Sequence, residues 1–382
     1  NTYIIYYMYL IVGCGLTGAT IAERISSELN EEVLIIDKRE HIGGNCYDYI
    51  DNDTGILVCK YGAHIYRSND ENVWNYINRF SEWVRWEHKV LSYVDNKFVS
   101  VPVNITTVNE LCDETIQTSD EMDTWLEKTQ VKYDTITNSE EMCKSRVGNV
   151  LYDKMFKNYT YKQWNKYPEE LNASVLRNIP IRNNFDCRYF DHKYQALPKK
   201  GYTKFIENML THKNISLQLN TTYDEYMKTH NKSEFKGIIF TGPIDEYFSH
   251  SNIEKLEYRS LQFDIKRYKN MNYYQPNSVV NYPEYNVPFT RIVEYKHFLN
   301  QQSTDTIVVS ETSSDIGEPY YPVPNERNLT LYKKYKNLAE YEETNNHVFF
   351  VGRLANYKYF NMDEAIANAL HFFNEKIMNT VK

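Results

Sequence analysis

Apolar and polar positions follow clear periods at both ends of the chain. Residues 9–12, "YLIV", and 33–36, "VLII", are continuous apolar runs, the pattern of strands buried on both faces of a parallel sheet. Between them "GLTGATIAERISSEL" carries Ala22, Ile25 and Leu29 at three- to four-residue spacing, which predicts an amphipathic helix. "GIIFTG" at 237–242 reads as another buried strand of the same sheet, and "HVFFVGRLANYKYFNMDEAIANALHFFNEKI" as strand, loop and long helix. In "VLSYVDNKFVSVPV", residues 90–103, the alternation turns at Asp95-Asn96, which predicts a hairpin. From 104 to 176 strand character is lost and several polar-surfaced helices are expected. Short Tyr-rich strands with Pro and Asn turns are expected over 177–200 and 249–344. The stretch "YGAHIYRSND", Tyr61 to Asp70, fits neither period and reads as a loop. Together these pieces predict an α/β nucleotide domain in discontinuous parts, with inserts between them.

Composition changes this picture little. The chain is 42% hydrophobic and 25% charged, as a folded globular protein is. Its 35 tyrosines are read as codon bias, in keeping with its many Asn, Lys and Ile. A net charge of −8 argues against a nucleic-acid partner, so an anionic ligand needs locally placed arginines. The six cysteines (14, 46, 59, 112, 143 and 187) form no CxxC pair, which predicts reduced thiols in a cytoplasmic protein and no metal site. The apolar start lacks a basic head and a cleavage site and runs into a glycine turn, so it reads as a strand rather than a signal sequence. Met8 is the candidate natural start, with residues 1–7 an extension. No apolar run is long enough for a membrane span. Triplets Asn-x-Thr at Asn104, Asn158 and Asn220 are read as chance.

Gly13, Gly15 and Gly18 form GxGxxG between a predicted strand and helix, with Thr17 inside the motif. There the first glycine permits the turn, the second admits a pyrophosphate, and the third lets helix and strand pack closely. Asp37, followed by Lys38, ends the second strand, where a carboxylate can bind ribose hydroxyls. Dinucleotide binding is therefore expected. The following "KREHIGGNCYD", with Gly43-Gly44 and Asn45, resembles flavoproteins of the glutathione-reductase and amine-oxidase type, whose second glycine pair lies beside FAD. Their last strand–helix unit sets a helix N-terminus at the flavin. Here Gly352, Arg353, Tyr359, Met362 and Asp363 would supply it, and such an N-terminus favours negative charge.

The strings "FKNYTYKQW", "RYFDHKYQALPKKGYT", "FTGPIDEYF", "LEYRSLQFD", "VVNYPEYNVPFTRIVEYKHF" and "VGRLANYKYFNMDEAIANAL" resemble the UDP-galactopyranose mutase family, in the family's order over about residues 9–375. The resemblance implies an α/β fold: a Rossmann-like FAD-binding domain with an inserted helical bundle and a twisted antiparallel β-sheet domain. On that basis 1–83, 200–248 and 345–382 are assigned to the FAD domain, 104–176 to the bundle, and 84–103, 177–199 and 249–344 to the sheet. It further implies an isomerase that interconverts UDP-galactopyranose and UDP-galactofuranose without net redox change. By the same resemblance FAD would be active when reduced, its N5 attacking the anomeric carbon and displacing UDP. The implied partners are the UDP-sugar, a reductant for the flavin such as NAD(P)H, and a second copy of the chain in a homodimer.

By motif, Tyr159 and Trp164 match the uridine side of the substrate, and Arg291 an arginine clamping the diphosphate. Tyr189, Tyr321 and Tyr359 match tyrosines that bind the same phosphates; Asn281 joins them as a substrate residue, and Arg353 lies near the flavin. The chain departs from the family at three places. Asn178 stands where a second phosphate arginine is usual, so that Arg177 or Arg182 would have to replace it. Asn361 stands where Asp is frequent. Arg67 replaces a flavin-side histidine, while His64 is kept. Relatives that accept N-acetylated sugars tend to carry arginine at this site, so Arg67 is expected to select the sugar, or else to pack over the flavin or pair with Asp70. Two other readings compete: an FAD-dependent oxidoreductase of the amine-oxidase type, and a low-activity UDP-sugar-binding relative.

Overall fold

The computed structural model describes residues 8–177 and 179–379. Asn178 and the extension before Met8 lie outside the described residues.

Five parallel strands form the nucleotide sheet, in the order Ile215–Gln218, Glu32–Ile36, Met8–Val12, Phe235–Phe240, Val348–Phe350. The apolar runs place every second residue on each face. Ile11, Val33, Ile35 and Ile239 pack with Ile21 and Ile25 of the helix Leu16–Leu29 and with Ala369 and Phe372 of the helix Met362–Phe372. Leu10, Ile36 and Ile238 point the other way, onto Tyr247, Leu331 and Tyr335. Each such side chain contributes about 2 kcal/mol of burial, so both faces must be covered.

That second cover was not expected. Glu326–Asn346 is a 21-residue helix in a region assigned to short strands, and it packs against the nucleotide sheet through Leu331 and Tyr335. Its start is fixed by Asn325, whose side chain accepts the Asn328 N–H (2.8 Å).

A seven-stranded sheet runs Tyr321–Pro322, Tyr258–Tyr268, Thr306–Ser314, Arg291–Glu294, Val279–Asn281, Val90–Val94, Lys97–Val101. It is antiparallel except where Val279–Asn281 runs parallel to Val90–Val94. The hairpin turns at Asp95 and Asn96, both with positive φ. Helices from Ile105 to Trp164 lie between its strands in sequence, and their core of Val108, Trp125, Val147 and Leu151 is continuous with Val99, Val293 and Val309 of the sheet. A third, three-stranded sheet joins Tyr66–Ser68, Tyr194–Pro198 and Trp83–Arg85, so part of "YGAHIYRSND" is a strand. Three residues are too few to show a period, which is why that strand did not stand out.

Candidate functional site

A cleft of roughly 1360 Å³, counting the solvent-open space at its mouth, runs along the carboxyl ends of the parallel strands. Gly13, Gly15, Thr17, Asp37, Lys38, Gly44, Asn45, His64, Arg353 and Met362 line it. The glycines make its floor. A Cβ at Gly44, whose φ is +54°, would stand 2.9 Å from the Gly15 Cα, so the two glycine turns touch backbone to backbone. Gly18 serves packing instead: a Cβ there would lie 2.0 Å from the Gly13 carbonyl oxygen. Asp37 is buried and accepts the main-chain N–H groups of Cys14 (2.7 Å) and Arg39 (2.8 Å), which aligns the first turn with the end of the second strand. The far end is lined by Thr221, Thr222, Gly242 and Pro243, which sequence reasoning missed. They follow the strands Ile215–Gln218 and Phe235–Phe240, and their place after a parallel strand was the available signal.

His64 donates from Nδ1 to the Gly62 carbonyl (2.8 Å) when neutral, leaving Nε2 as an acceptor. Burial holds its pKa down at about 4, with Arg353 and Arg291 adding repulsion, so the ring is neutral at physiological pH. Arg353 is held by the Phe360 carbonyl (Nε 3.0 Å, Nη2 2.5 Å) and stacks below Tyr321 and Tyr359, 5.6 and 5.3 Å from their ring centres. Gly352 and Asp363 do not line the cavity; Gly352 donates to Asn356, and Asp363 lies in the first turn of the last helix.

Beside this cavity the inserted sheet brings a second group of residues together. Arg291 Nε bonds the Glu311 carboxylate at 2.6 Å. Burial opposes the guanidinium charge, but Glu311 outweighs it and raises the pKa further. The Arg291 charge is felt by Tyr159, Tyr189 and Tyr321, whose hydroxyls are all pushed up by burial, Tyr159 to about 12. These tyrosines therefore remain neutral donors. Tyr159 reaches Asn281 Oδ1 at 3.5 Å, and Tyr321 stacks on the exposed Tyr359 at 5.5 Å. Trp164 ends the helix Asn158–Trp164, half-buried.

Glu311 was missed. It has no exposed surface and continues the inward side of its strand after Ile307 and Val309, so a carboxylate on an apolar face was the signal.

Arg67 joins this group. Its guanidinium lies 4.0 Å over the Phe190 ring and donates to Asn361 Oδ1 (2.8 Å), so two of the three departures from the family meet in one hydrogen bond. It does not pair with Asp70, which caps the helix Glu71–Ile77 through the N–H groups of Asn72 and Val73. Tyr189 and Tyr359 are near enough to feel its charge, and burial lowers its pKa. Arg182 is placed elsewhere: Asp191 (2.7 Å), Asp186 and the Arg188 carbonyl hold it. Arg177 is exposed at the end of the helix Ser174–Arg177, its carbonyl accepting from Arg146 (2.5 Å).

The parallel sheet, its glycine turn, the carboxylate past its second strand and the cavity at its strand ends define a Rossmann-like nucleotide-binding protein. Residues 11–80 match the NAD(P)-binding Rossmann-like domain, and residues 154–359 the UDP-galactopyranose mutase family. The chain is 37% identical over 370 residues to a probable UDP-galactopyranose mutase of Klebsiella pneumoniae, covering 96% of this chain and 94% of that one. It is 35% identical to a dTDP-fucopyranose mutase of Escherichia coli, covering 94% and 96%. It is 34% identical to the UDP-galactopyranose mutase of Mycoplasma genitalium, covering 94% and 91%. In fold it is similar to a crystal structure of reduced UDP-galactopyranose mutase, with a TM-score of 0.72 at 15% identity, covering 98% and 96%. A putative protoporphyrinogen oxidase from Exiguobacterium shares the fold at TM-score 0.64 and 10% identity. The chain belongs to the UDP-galactopyranose mutase family, and with it to the isomerases. Among the described residues no helix is long and apolar enough to cross a membrane.

Proposed function

We propose that the protein interconverts the pyranose and furanose forms of a UDP-linked galactose, with FAD as its resident cofactor. One observation carries this reading: Arg291, Arg67 and Arg353 converge with Tyr159, Tyr189, Tyr321 and Tyr359 beside the cavity floored by the two glycine turns. The two glycine turns fit a dinucleotide, because both line the cavity with bare backbone and a methyl group added at Gly44 would strike the Gly15 Cα and force the turns apart. Gly13, Gly15, Thr17, Asp37, Lys38, Gly44, Asn45, His64, Arg353 and Met362 would hold FAD. Bound and reduced, FAD supplies a nucleophilic nitrogen for the anomeric carbon and is not consumed.

This chain's own residues bind, orient and shield. Arg291, kept charged and aimed by Glu311, takes the diphosphate oxygens. Neutral Tyr189 and Tyr321, together with Tyr359, donate hydrogen bonds to the same oxygens, which accumulate charge as UDP leaves. Tyr159, Trp164 and Asn281 form the nucleoside side. Arg177, exposed and unpaired by any carboxylate among the described residues, is the cation left to serve as the second phosphate contact in place of Asn178. Arg182 is committed to Asp191 and Asp186. Six unpaired cysteines fit a cytoplasmic setting, where NAD(P)H or another donor keeps FAD reduced.

Arg67 reads the substituent at the sugar's second carbon. With one donor spent on Asn361 and its face on Phe190, it keeps donors free for an acetamido oxygen.

The test is purified yellow protein, reduced with dithionite and given UDP-galactofuranose or its N-acetylgalactosamine counterpart. Redox-neutral conversion to the pyranose is expected. Steady uptake of oxygen or NAD with an oxidised product would replace the proposal with an oxidoreductase. Arg67→His should shift the kcat/KM ratio toward the non-acetylated sugar by about ten-fold; an unchanged ratio would leave Arg67 a packing residue.

A further inference from the structure

Lys162 lies between Tyr159 and Trp164 on the helix Asn158–Trp164. Its ammonium meets four main-chain carbonyls of one loop, those of Tyr282, Glu284 (2.9 Å), Val287 (3.0 Å) and Phe289 (2.9 Å). That loop joins the strand Val279–Asn281 to the strand Arg291–Glu294. An ammonium has three N–H donors, so four oxygens share them, and it is the positive charge that gathers four carbonyl dipoles around one point. Burial lowers the Lys162 pKa to about 8, an effect the loop's own Glu284 carboxylate partly offsets, so the side chain is mostly an ammonium at neutral pH.

We infer that Lys162 is a positioning residue for the proposed reaction. Its ammonium folds the 282–289 loop and thereby sets Asn281 against Tyr159 at one end and Arg291 against Glu311 at the other. The inference rests on the assignment of these residues to the UDP-sugar.

The helix has a second, separate fastening. Arg259 donates to the Gln163 carbonyl (2.8 Å) and pairs with Asp315, which also accepts from Asn165 (2.7 Å). Loss of the Lys162 charge therefore leaves the helix anchored and releases the loop, because four carbonyls facing one another without a cation must turn away to find water. The displaced residue is then Arg291, and the affected quantity is affinity for the diphosphate.

The experiment compares the wild-type holoenzyme with Lys162→Met and Lys162→Arg, measuring bound FAD, Tm, the Kd for UDP, KM and kcat. Lys162→Met is expected to keep FAD and a Tm near wild type, while Kd and KM rise by about ten-fold or more and kcat changes by less than about three-fold. Lys162→Arg, which keeps a cation and its donors, is expected to recover most of the UDP affinity. UDP binding by Lys162→Met within about two-fold of wild type would overturn the inference. So would a parallel loss of FAD, Tm and UDP affinity, which would make Lys162 a general structural support. If Lys162→Met does not accumulate as holoenzyme, Lys162→Gln, whose amide still reaches two carbonyls, is judged by the same criteria. Wild-type protein that fails to bind UDP would sink the functional assignment itself, a different outcome from a variant that binds as well as wild type.

Discussion

Arg291 depends on Glu311 in two ways. The carboxylate offsets the cost of holding a guanidinium that is only 33% exposed, and it fixes the direction in which the fork points. Replacing Glu311 with Gln leaves a partly buried cation without its counter-charge. A fully buried pair broken in this way would cost more, but solvent reaches Arg291, so about 2 kcal/mol of stability is expected to be lost. The measurement is denaturant unfolding, alongside kcat/KM, which should drop by about ten-fold as the arginine loses its aim. An unchanged kcat/KM would mean that Arg291 orients itself. Arg67 and Asn361 present the opposite situation, a cation bonded to a neutral partner. Asn361 also caps the last helix with Glu364. Asn361→Asp would supply both a counter-charge to Arg67 and a better N-terminal anion, so Tm should rise slightly while the kcat/KM ratio shifts toward the non-acetylated sugar as Arg67 is drawn to the carboxylate. An unchanged ratio would show that Arg67 does not touch the sugar.

The elements differ in how openly the sequence displayed them. Four of the five parallel strands and the helix Leu16–Leu29 were legible because their apolar residues carry the period without ambiguity, whereas the edge strand Ile215–Gln218, mostly exposed, carries none. The helix Glu326–Asn346 was hidden because only Leu331 and Tyr335, with Asn328 of the first turn, are buried in a sequence otherwise crowded with Lys, Glu, Asn and Tyr. Its apolar side is a narrow seam, and in a chain with 35 tyrosines a buried Tyr resembles an exposed one. At the candidate site, Tyr159 and Arg291 drew notice through the motifs that hold them, whereas Glu311, and Lys162 although it stands inside "FKNYTYKQW", act through partners about twenty and more than a hundred residues away that only folding reveals. The seam makes a prediction. Leu331→Ala should cost about 3 kcal/mol in unfolding free energy, since it opens a cavity against the nucleotide sheet. Leu329→Ala, at a position 49% exposed on the same helix, should cost well under 1 kcal/mol. Equal losses would mean that the helix is not held by that face.

For the whole molecule, desolvated histidines tie folding to pH, His64 and His88 more strongly than His41 and His192. Burial, with lesser repulsion from nearby arginines, takes His64 down to about 4 and His88 down to about 3. His88 is 5% exposed, stacked near Phe190 and Phe298, and its Nδ1 accepts the Trp86 indole N–H at 3.4 Å, so the neutral ring is the one that fits. Both rings bind a proton less readily in the folded chain than in the unfolded one. As pH falls below 6.5 the unfolded chain takes up protons first, and stability that is fully present above 6.5 is lost progressively toward pH 4 and below. Carboxylates paired with arginines, such as Asp186 at about 2, weaken folding only in stronger acid. His88→Gln isolates the histidine part, because an amide can still accept from Trp86 but does not titrate. Between pH 6.5 and 5 the wild type should lose about 2 kcal/mol more than His88→Gln, read from denaturant midpoints at matched ionic strength. Carboxylates common to both proteins cancel in that difference, so parallel stability curves over this range would mean that His88 is protonated as easily in the fold as outside it.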